Sequence, residues 1–124
     1  MDITRTAAED ELGNWEPQLR KGGLGLAVLA TLWRGRLYGL EMLRRLDAEA
    51  GLSVPEGTIY PLLSRLKTEG LVASEWVEAD AGHPRKYYSL TDRGRGRVRD
   101  MARSWASFAK GLDRLLAPLE GDPK

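Results

Sequence analysis

The succession of patterns between Ser53 and Arg93 constrains the fold more than any other feature of this sequence of 124 residues. Four apolar residues recur at i, i+3, i+4 and i+7 and so share one face of a predicted helix: Ile59, Leu62, Leu63 and Leu66. Leu71–Glu78 and Arg85–Leu90 follow, both rich in β-branched and aromatic residues, and they predict two paired strands. The chain is therefore expected to pass from a helix directly into a hairpin.

The start of this helix has two interpretations. Ser53 and Glu56 fit a capping box, in which the serine hydroxyl accepts a bond from a backbone N–H and the glutamate reaches back. Alternatively, Pro55 is the first helical residue. Pro61 is unusual inside a helix, so it should kink the helix or lie in its first turn. Gly70 should end it.

A further helix is predicted after the hairpin, because Thr91 is a suitable N-cap residue and Asp92 suits the helix dipole. Helix, hairpin and helix in this order are typical of a winged helix-turn-helix. That architecture presents one helix to a DNA groove and the hairpin, or wing, to the DNA backbone. We therefore predict a mainly α protein with a small β-hairpin, of the α+β class. Residues 18–92 would form its winged helix-turn-helix domain.

Upstream of this unit the pattern is less regular. Residues 1–17 form an N-terminal extension without a firm pattern, although Thr6–Trp15 fits a short helix and Pro17 should end it or open the next element. Gln18–Trp33 is apolar nearly all round, which predicts a buried helix. Tyr38–Ala50 predicts another helix, followed by Gly51 at the C′ position. Its expected inner stripe is Leu40, Leu43, Leu46 and Ala50.

The last helix, expected over residues 93–119, carries apolar residues with alternating spacings of three and four. This heptad seam consists of Val98, Met101, Trp105, Phe108, Leu112, Leu115 and Leu119. The seam either packs on its own domain or pairs with the same helix of a second copy, and its large aromatic area favours a two-fold homodimer. Pro118 should end the helix before a polar tail at residues 120–124.

The distribution of charge is more informative than its total, since the formal net charge is only +1. A basic stretch runs from the second strand into the last helix: Arg85, Lys86, Arg93, Arg95, Arg97, Arg99 and Arg103. Such a run is either a solvated helix face or a DNA contact. Its position beside a candidate recognition helix favours DNA contact.

Several classes of function and location are disfavoured by composition. The chain contains no cysteine, which excludes disulfides and thiolate chemistry. The acidic N-terminus does not fit a signal peptide, and the longest apolar run, Leu24–Trp33, is too short to span a membrane. We find no set of residues for catalysis, cofactor binding or metal binding. We therefore expect a cytoplasmic protein that is not an enzyme and has no cofactor.

Specific motifs add a family resemblance. EGTIYPLLSRLKTEGLV followed by RKYYSLTDRG resembles the PadR family of bacterial transcriptional regulators, and so do the Tyr38-Gly39 pair and Glu41. Leu40 departs from the tyrosine usual at that position. The resemblance covers roughly Leu24–Leu119 and includes the short C-terminal helix of the family's small members. It implies a nucleoid-associated, winged-helix dimer that represses promoters, often its own, and releases DNA when a small molecule binds.

The predicted DNA contacts lie on the outer face of the candidate recognition helix and on the wing. They are Thr58, Tyr60, Ser64, Arg65 and Lys67 on the helix, and Gly82, His83, Arg85 and Lys86 on the wing. Tyr60 either reaches DNA or packs against the domain. Arg65 either recognises guanine or phosphate, or pairs with Glu69. We expect His83, the only histidine, to be exposed and not to bind metal.

A small-molecule site is the least constrained prediction. In the multidrug-binding branch of the resembled family, a tryptophan at the position of Trp105 lines a flat pocket between subunits. The corresponding candidates here are Trp15, Met101, Trp105 and Phe108, which would take a planar aromatic effector, whether neutral, anionic or cationic. Alternatively, these side chains only close the dimer. The main rival for the whole protein is a winged-helix adaptor that binds proteins instead of DNA.

Overall fold

The computed structural model describes residues 7–78 and 82–121, with the side chains of residues 7–12 and 14 excepted. Four helices and three strands follow in the order α1 (Ala7–Thr31), β1 (Leu37–Tyr38), α2 (Gly39–Ala50), α3 (Glu56–Thr68), β2 (Val72–Glu78), β3 (Pro84–Leu90) and α4 (Asp92–Glu120). A three-helix unit leading into a hairpin and a last helix is the predicted winged helix-turn-helix. In the described ranges, no helix combines the length and apolarity needed to cross a bilayer.

The sheet is antiparallel in the order β1-β3-β2. The predicted hairpin is confirmed, with Val72 opposite Leu90 and Trp76 opposite Lys86. The additional strand β1 pairs Leu37 with Tyr88 and was not predicted. Two residues are too few to show an alternating pattern, so only the pairing with β3 defines this strand.

The core lies between the first three helices, the inner face of the sheet and the first turns of α4. The predicted stripe of α3 is confirmed, since all four of its residues are buried. The predicted stripe of α2 is wrong in part. Met42 and Leu46 are buried, whereas Leu40 is 41% exposed and Ala50 is exposed. The buried face of α2 also includes Gly39, and at 100° per residue this face leaves Leu40 outside.

The start of α3 differs from both interpretations of the sequence. Pro55 occupies the N-cap position with an extended backbone, and no side chain caps the helix there. The capping box at Ser53 is therefore absent, and Pro55 is one residue before the first helical position. Pro61 lies in the second turn, where its missing N–H leaves the carbonyl of the exposed Gly57 without a helical partner.

Two other prolines were expected to mark helix ends, and both expectations were wrong. Helix α1 runs through Pro17, and α4 runs through Pro118 to Glu120. A proline inside a helix removes one bond to the carbonyl four residues before it, here at Gly13 and Arg114. Both of these residues are exposed, so water can satisfy the two carbonyls at little cost.

The boundary between the wing and α4 is organised by Thr91. Its hydroxyl oxygen accepts a bond from the backbone N–H of Gly94 at 3.0 Å, which confirms the predicted N-cap. The same hydroxyl donates to the carbonyl of Gly70 at 2.6 Å. Gly70 itself has a φ of 79°, in the region that favours glycine. One side chain thus ties the end of α3 to the start of α4.

Candidate nucleic-acid interface

Helix α3 has one buried and one exposed face. The predicted helix contacts, Thr58, Tyr60, Ser64, Arg65 and Lys67, are all exposed. Because the opposite stripe is held in the core, this polar face has a fixed direction. It offers hydroxyl and cationic groups of the kind that reach base edges and phosphates.

Tyr60 takes the packing role that the sequence left open, and its contact with DNA stays a prediction. It is 40% exposed, yet its ring packs over Gly39 at the start of α2. A Cβ at residue 39 would lie 2.7 Å from the Cε1 and Cζ atoms of this ring. Gly39 is therefore required by close approach, and Tyr60 is held in place with part of its surface free.

Arg65 forms the ion pair with Glu69 that the sequence offered as the alternative to DNA contact. Its Nε lies 3.8 Å from Oε2 of Glu69, one turn further along α3. The arginine side chain is 66% exposed, and an ion pair so exposed contributes little energy. The guanidinium can therefore exchange this partner for a base or a phosphate.

The wing places its two basic residues on opposite faces. The Nζ atom of Lys86 lies 5.8 Å from the ring centroid of Trp76 and 5.9 Å from that of Tyr88, on the side of the sheet that faces the core. Arg85 lies over Tyr38 on the other side, with its Cζ atom 4.5 Å from the ring centroid. Strand alternation is the sequence signal that could have separated them. His83 is exposed, as expected.

The wing tip turns at Gly82, which has a φ of 75° and so favours glycine. Residues 79–81, between the two predicted strands, lie outside the described residues. Tyr88 is the buried member of the Tyr87-Tyr88 pair, because successive residues of a strand face opposite sides of the sheet. Burial raises the pKa of the Tyr88 phenol, and the neighbouring Tyr60 adds to this effect, so Tyr88 remains a neutral donor at ordinary pH.

The outer face of the sheet carries a cluster that the sequence did not reveal. Arg36 donates from Nη1 to Oε1 of Glu75 at 2.8 Å, and its Cζ atom lies 4.8 Å from the ring centroid of Tyr87. Tyr87 in turn meets Tyr38 edge to face at 5.5 Å. These contacts depend on the pairing of β1 with β3. They fix the outer face of the wing.

The basic stretch in α4 is partly engaged within the chain. The Cζ atoms of Arg95 and Arg99 lie 4.9 and 5.2 Å from ring centroids of Trp33, just after α1. Arg103 pairs with Asp100. The structure therefore gives two arginines of the stretch a packing role that sequence reasoning missed, because Trp33 is distant in sequence.

The described residues cover the heptad seam only at its start. Val98 is buried and Met101 is half-buried, both near the core. The other five seam residues are exposed, by 49% at Trp105, 63% at Phe108, 39% at Leu112, 77% at Leu115 and 67% at Leu119. The described part of the chain thus leaves a long apolar stripe on α4 without cover.

Two cavities adjoin the seam where α4 crosses α1. One, of about 400 Å³, is lined by Met101, Trp105 and Phe108 together with Gly22, Gly23 and Leu26 of α1. The other, of about 460 Å³, lies between Leu19, Leu26, Leu52 and Trp105. Trp105 borders both cavities, and the rings of Trp105 and Phe108 are 6.3 Å apart.

Three of the four predicted effector residues therefore line one cavity, whereas Trp15 lines neither and is 51% exposed. Its place opposite Trp105 is taken by the glycines of α1, where a Cβ would meet nothing within 4 Å. Gly22 and Gly23 were the available sequence signal, since glycines in a helix can leave space beside a neighbour. Among the described residues, no group of acidic or histidine side chains is arranged to hold a metal ion.

Comparisons with known proteins agree with this architecture. Residues 28–100 match the family model described as the transcriptional regulator PadR-like family. A PadR family transcriptional regulator of Eggerthella lenta has a solved structure with a TM-score of 0.77, 36% identity, and coverage of 89% of this chain and 96% of that one. A PadR-like transcription factor from Bacteroides fragilis gives a TM-score of 0.68 at 38% identity, covering 82% and 98%. The transcriptional regulator Rv3488 of Mycobacterium tuberculosis is 28% identical over 93 residues, 75% of this chain and 85% of that protein.

Proposed function

This chain belongs to the PadR-like family of transcriptional regulators, which are not enzymes, and from that premise we propose that it is a repressor that binds a pseudo-palindromic operator as a homodimer. Membership of the family implies DNA binding. The single observation that best supports a specific operator is the outer face of α3. Its hydroxyl and cationic groups are exposed beside the basic wing, while its apolar stripe anchors the helix in the core.

Within this proposal, the helix and the wing do different work. Thr58, Ser64 and Arg65 read base edges in the major groove, while Lys67 contacts phosphate. Tyr60 contacts the DNA with the exposed edge of its ring. Gly82, His83, Arg85 and Lys86 bring the wing to the phosphate backbone, which orients the protein without selecting a sequence.

The homodimer is supported by the exposed part of the seam. Five large apolar side chains on one stripe of α4 are unfavourable in water, and a second copy of the same stripe would cover them. A two-fold axis through the paired helices would present two α3 helices in the same way. The operator half-sites should then be about one helical turn apart, roughly 34–36 Å.

A small aromatic effector fits the cavities around Trp105. A planar compound stacked on the exposed face of this indole would gain about 0.5–1.5 kcal/mol beyond its burial. Binding there would alter the packing of α4 against α1, and with it the spacing of the two α3 helices. We propose this change as the route by which an effector releases the operator.

The proposal is tested by fluorescence anisotropy of the purified protein with the DNA upstream of its own gene, against scrambled DNA, across a salt series. An autoregulatory repressor binds the upstream DNA more tightly, with a steep salt dependence from the released counterions. Equal and weak binding to both DNAs would favour the alternative, a winged-helix adaptor that binds a protein partner. A pull-down would then identify that partner.

Base recognition by α3 has its own test. Arg65→Ala should weaken operator binding by about 1–3 kcal/mol while leaving scrambled DNA less affected. Glu69→Ala is the matched control, since it removes the observed ion pair but keeps the guanidinium. An equal loss on both DNAs would assign Arg65 to phosphate contact only.

A further inference from the structure

The wing and α3 enclose a cleft. The DNA contacts proposed for these two elements do not treat its residues as one binding site. Its volume is about 530 Å³, and its walls include Tyr60 and Ser64 of α3, Trp76 of β2, and Lys86 and Tyr88 of β3. Among the described residues that line it, the charged ones are Lys86, on the cleft side of the sheet, and Arg85, whose guanidinium lies over Tyr38 on the other side, and both are basic. The cleft therefore has the electrostatics of an anion site.

Trp76 is the residue of this cleft whose exposure is not explained by packing within the described part of the chain. Strand register places Trp76 and Lys86 opposite each other, on the face that further along carries the buried Val72 and Tyr88. Trp76 thus points to the inner side of the sheet, yet it is 67% exposed because it extends beyond the cover of the helices. A large indole at this place is poised to pack on something outside the chain.

The neighbouring groups narrow the choice of what Trp76 contacts. The ammonium of Lys86 is held between the rings of Trp76 and Tyr88, at 5.8 and 5.9 Å from their centroids, and so is directed over the cleft. The indole N–H is a donor without an acceptor function. A partner that combines negative charge with an apolar surface fits both groups, and a sugar–phosphate chain has this combination.

We propose that this cleft binds the sugar–phosphate backbone of duplex DNA, with Trp76 as a direct DNA contact. One phosphate lies near Lys86 and the hydroxyl of Tyr60, and the indole of Trp76 packs against the adjoining deoxyribose while its N–H faces a phosphate oxygen. The cleft thereby links the recognition helix to the wing through one nucleotide. This inference rests on the proposed function only in taking duplex DNA as the ligand.

The two contacts differ in their dependence on salt, which makes them separable. A cation at a phosphate releases counterions, so its removal flattens the slope of log affinity against log salt by about 0.9 per contact, or about 1.8 for the two subunits of the proposed dimer. Packing of an indole on a sugar releases none. Trp76→Ala removes this contact from both subunits of the proposed dimer, so affinity should fall on the order of a hundredfold, about tenfold per subunit, with an unchanged slope. Lys86→Ala should lower both affinity and slope.

The experiment measures anisotropy for the wild type, Trp76→Ala, Lys86→Ala and Val77→Ala across a salt series, with operator and scrambled duplexes. Val77 is the matched control, since it adjoins Trp76 on the other face of the same strand. Circular dichroism melts verify that the variants fold, which the exposure of Trp76 favours. Trp76→Ala should lose affinity on both duplexes alike, and Val77→Ala should not.

Two results would overturn the inference. If Trp76→Ala bound DNA with the affinity of the wild type, Trp76 would not be a DNA contact. If Trp76→Ala lost affinity and also showed the flattened salt dependence of Lys86→Ala, Trp76 would act only by positioning the ammonium of Lys86. The repressor proposal fails separately: a wild type without sequence preference would refute it, even where Trp76→Ala loses affinity for every duplex.

Discussion

Helices α3 and α4 both carry an apolar stripe at helical spacing, but the surroundings of the two stripes differ. Ile59 and Leu63 on α3 are 0% exposed, whereas Phe108 and Leu115 on α4 are 63% and 77% exposed. The α3 stripe is covered by the other helices and the sheet, while α4 reaches the core only through its first turns. The comparison teaches that periodicity identifies a face, and that the cover for this face must come from elsewhere.

The largest expected effect separates the two stripes by stability. Leu63→Ala should lower the free energy of unfolding by about 2–5 kcal/mol, because it leaves a cavity in a close-packed core. Leu115→Ala removes the same side chain from an exposed position. In urea denaturation, its effect should grow with protein concentration, since it acts through association. Equal, concentration-independent losses would place both stripes in one core.

A charge on the α4 stripe should act on association. Leu112→Glu should weaken the proposed dimer at least about a hundredfold, or roughly 2.7 kcal/mol, because a carboxylate would be buried at the paired seam. Sedimentation equilibrium measures this change. Lys110→Glu, which also adds negative charge but lies off the seam, is the control. A dimer that survives Leu112→Glu would show that the seam is not the interface.

The glycines of α4 sharpen the same contrast within one helix. A Cβ at Gly94 would collide with the backbone carbonyl of Leu71 and lie 3.2 Å from Cδ2 of Leu90, whereas a Cβ at Gly96 would meet nothing within 4 Å. Gly94→Ala should therefore cost about 1–3 kcal/mol. Gly96→Ala should gain up to about 1 kcal/mol from helix propensity. Thermal melts that show both variants stabilised would contradict the close approach of α4 to the end of α3.

The smallest effect concerns pH. Burial raises the pKa of Tyr88, so the folded chain keeps this proton at a pH where the unfolded chain loses it. The resulting stability is complete below the ordinary tyrosine pKa of about 10 and is lost as pH rises above it. Guanidinium titrations of the wild type and Tyr88→Phe at about pH 8 to 11 measure the difference. The stability of the wild type should fall more steeply, and parallel curves would refute this.

Much of the fold could be predicted because the sequence signals for it are local. The stripe of α3, the two wing strands and the Thr91 cap were all identified correctly from spacing and residue type. The errors arose where a sequence rule was applied at positions whose surroundings tolerate an exception to it. Pro17 and Pro118 were expected to interrupt helices, but their lost hydrogen bonds fall on exposed turns and do not end α1 or α4.

The candidate site was predictable as a set of exposed residues but not as an arrangement. The outer face of α3 follows from the helical period, whereas Trp76 was not selected, because a tryptophan in a strand ordinarily indicates core. The contacts of Arg95 and Arg99 with Trp33 were also missed. DNA contact, dimerisation through the seam and effector binding remain predictions with the tests given above.

Local sequence signals are enough to identify which residues share a face, where α3 and α4 begin and end to within a few residues, and the family of the chain. These properties depend on backbone geometry over a few residues and on motifs that can be read directly. Three features could be seen only in the folded chain: Tyr60 packs on Gly39, Lys86 lies between Trp76 and Tyr88, and most of the α4 stripe is exposed. Such contacts join residues far apart in the chain, so they exist only once all the elements have packed together.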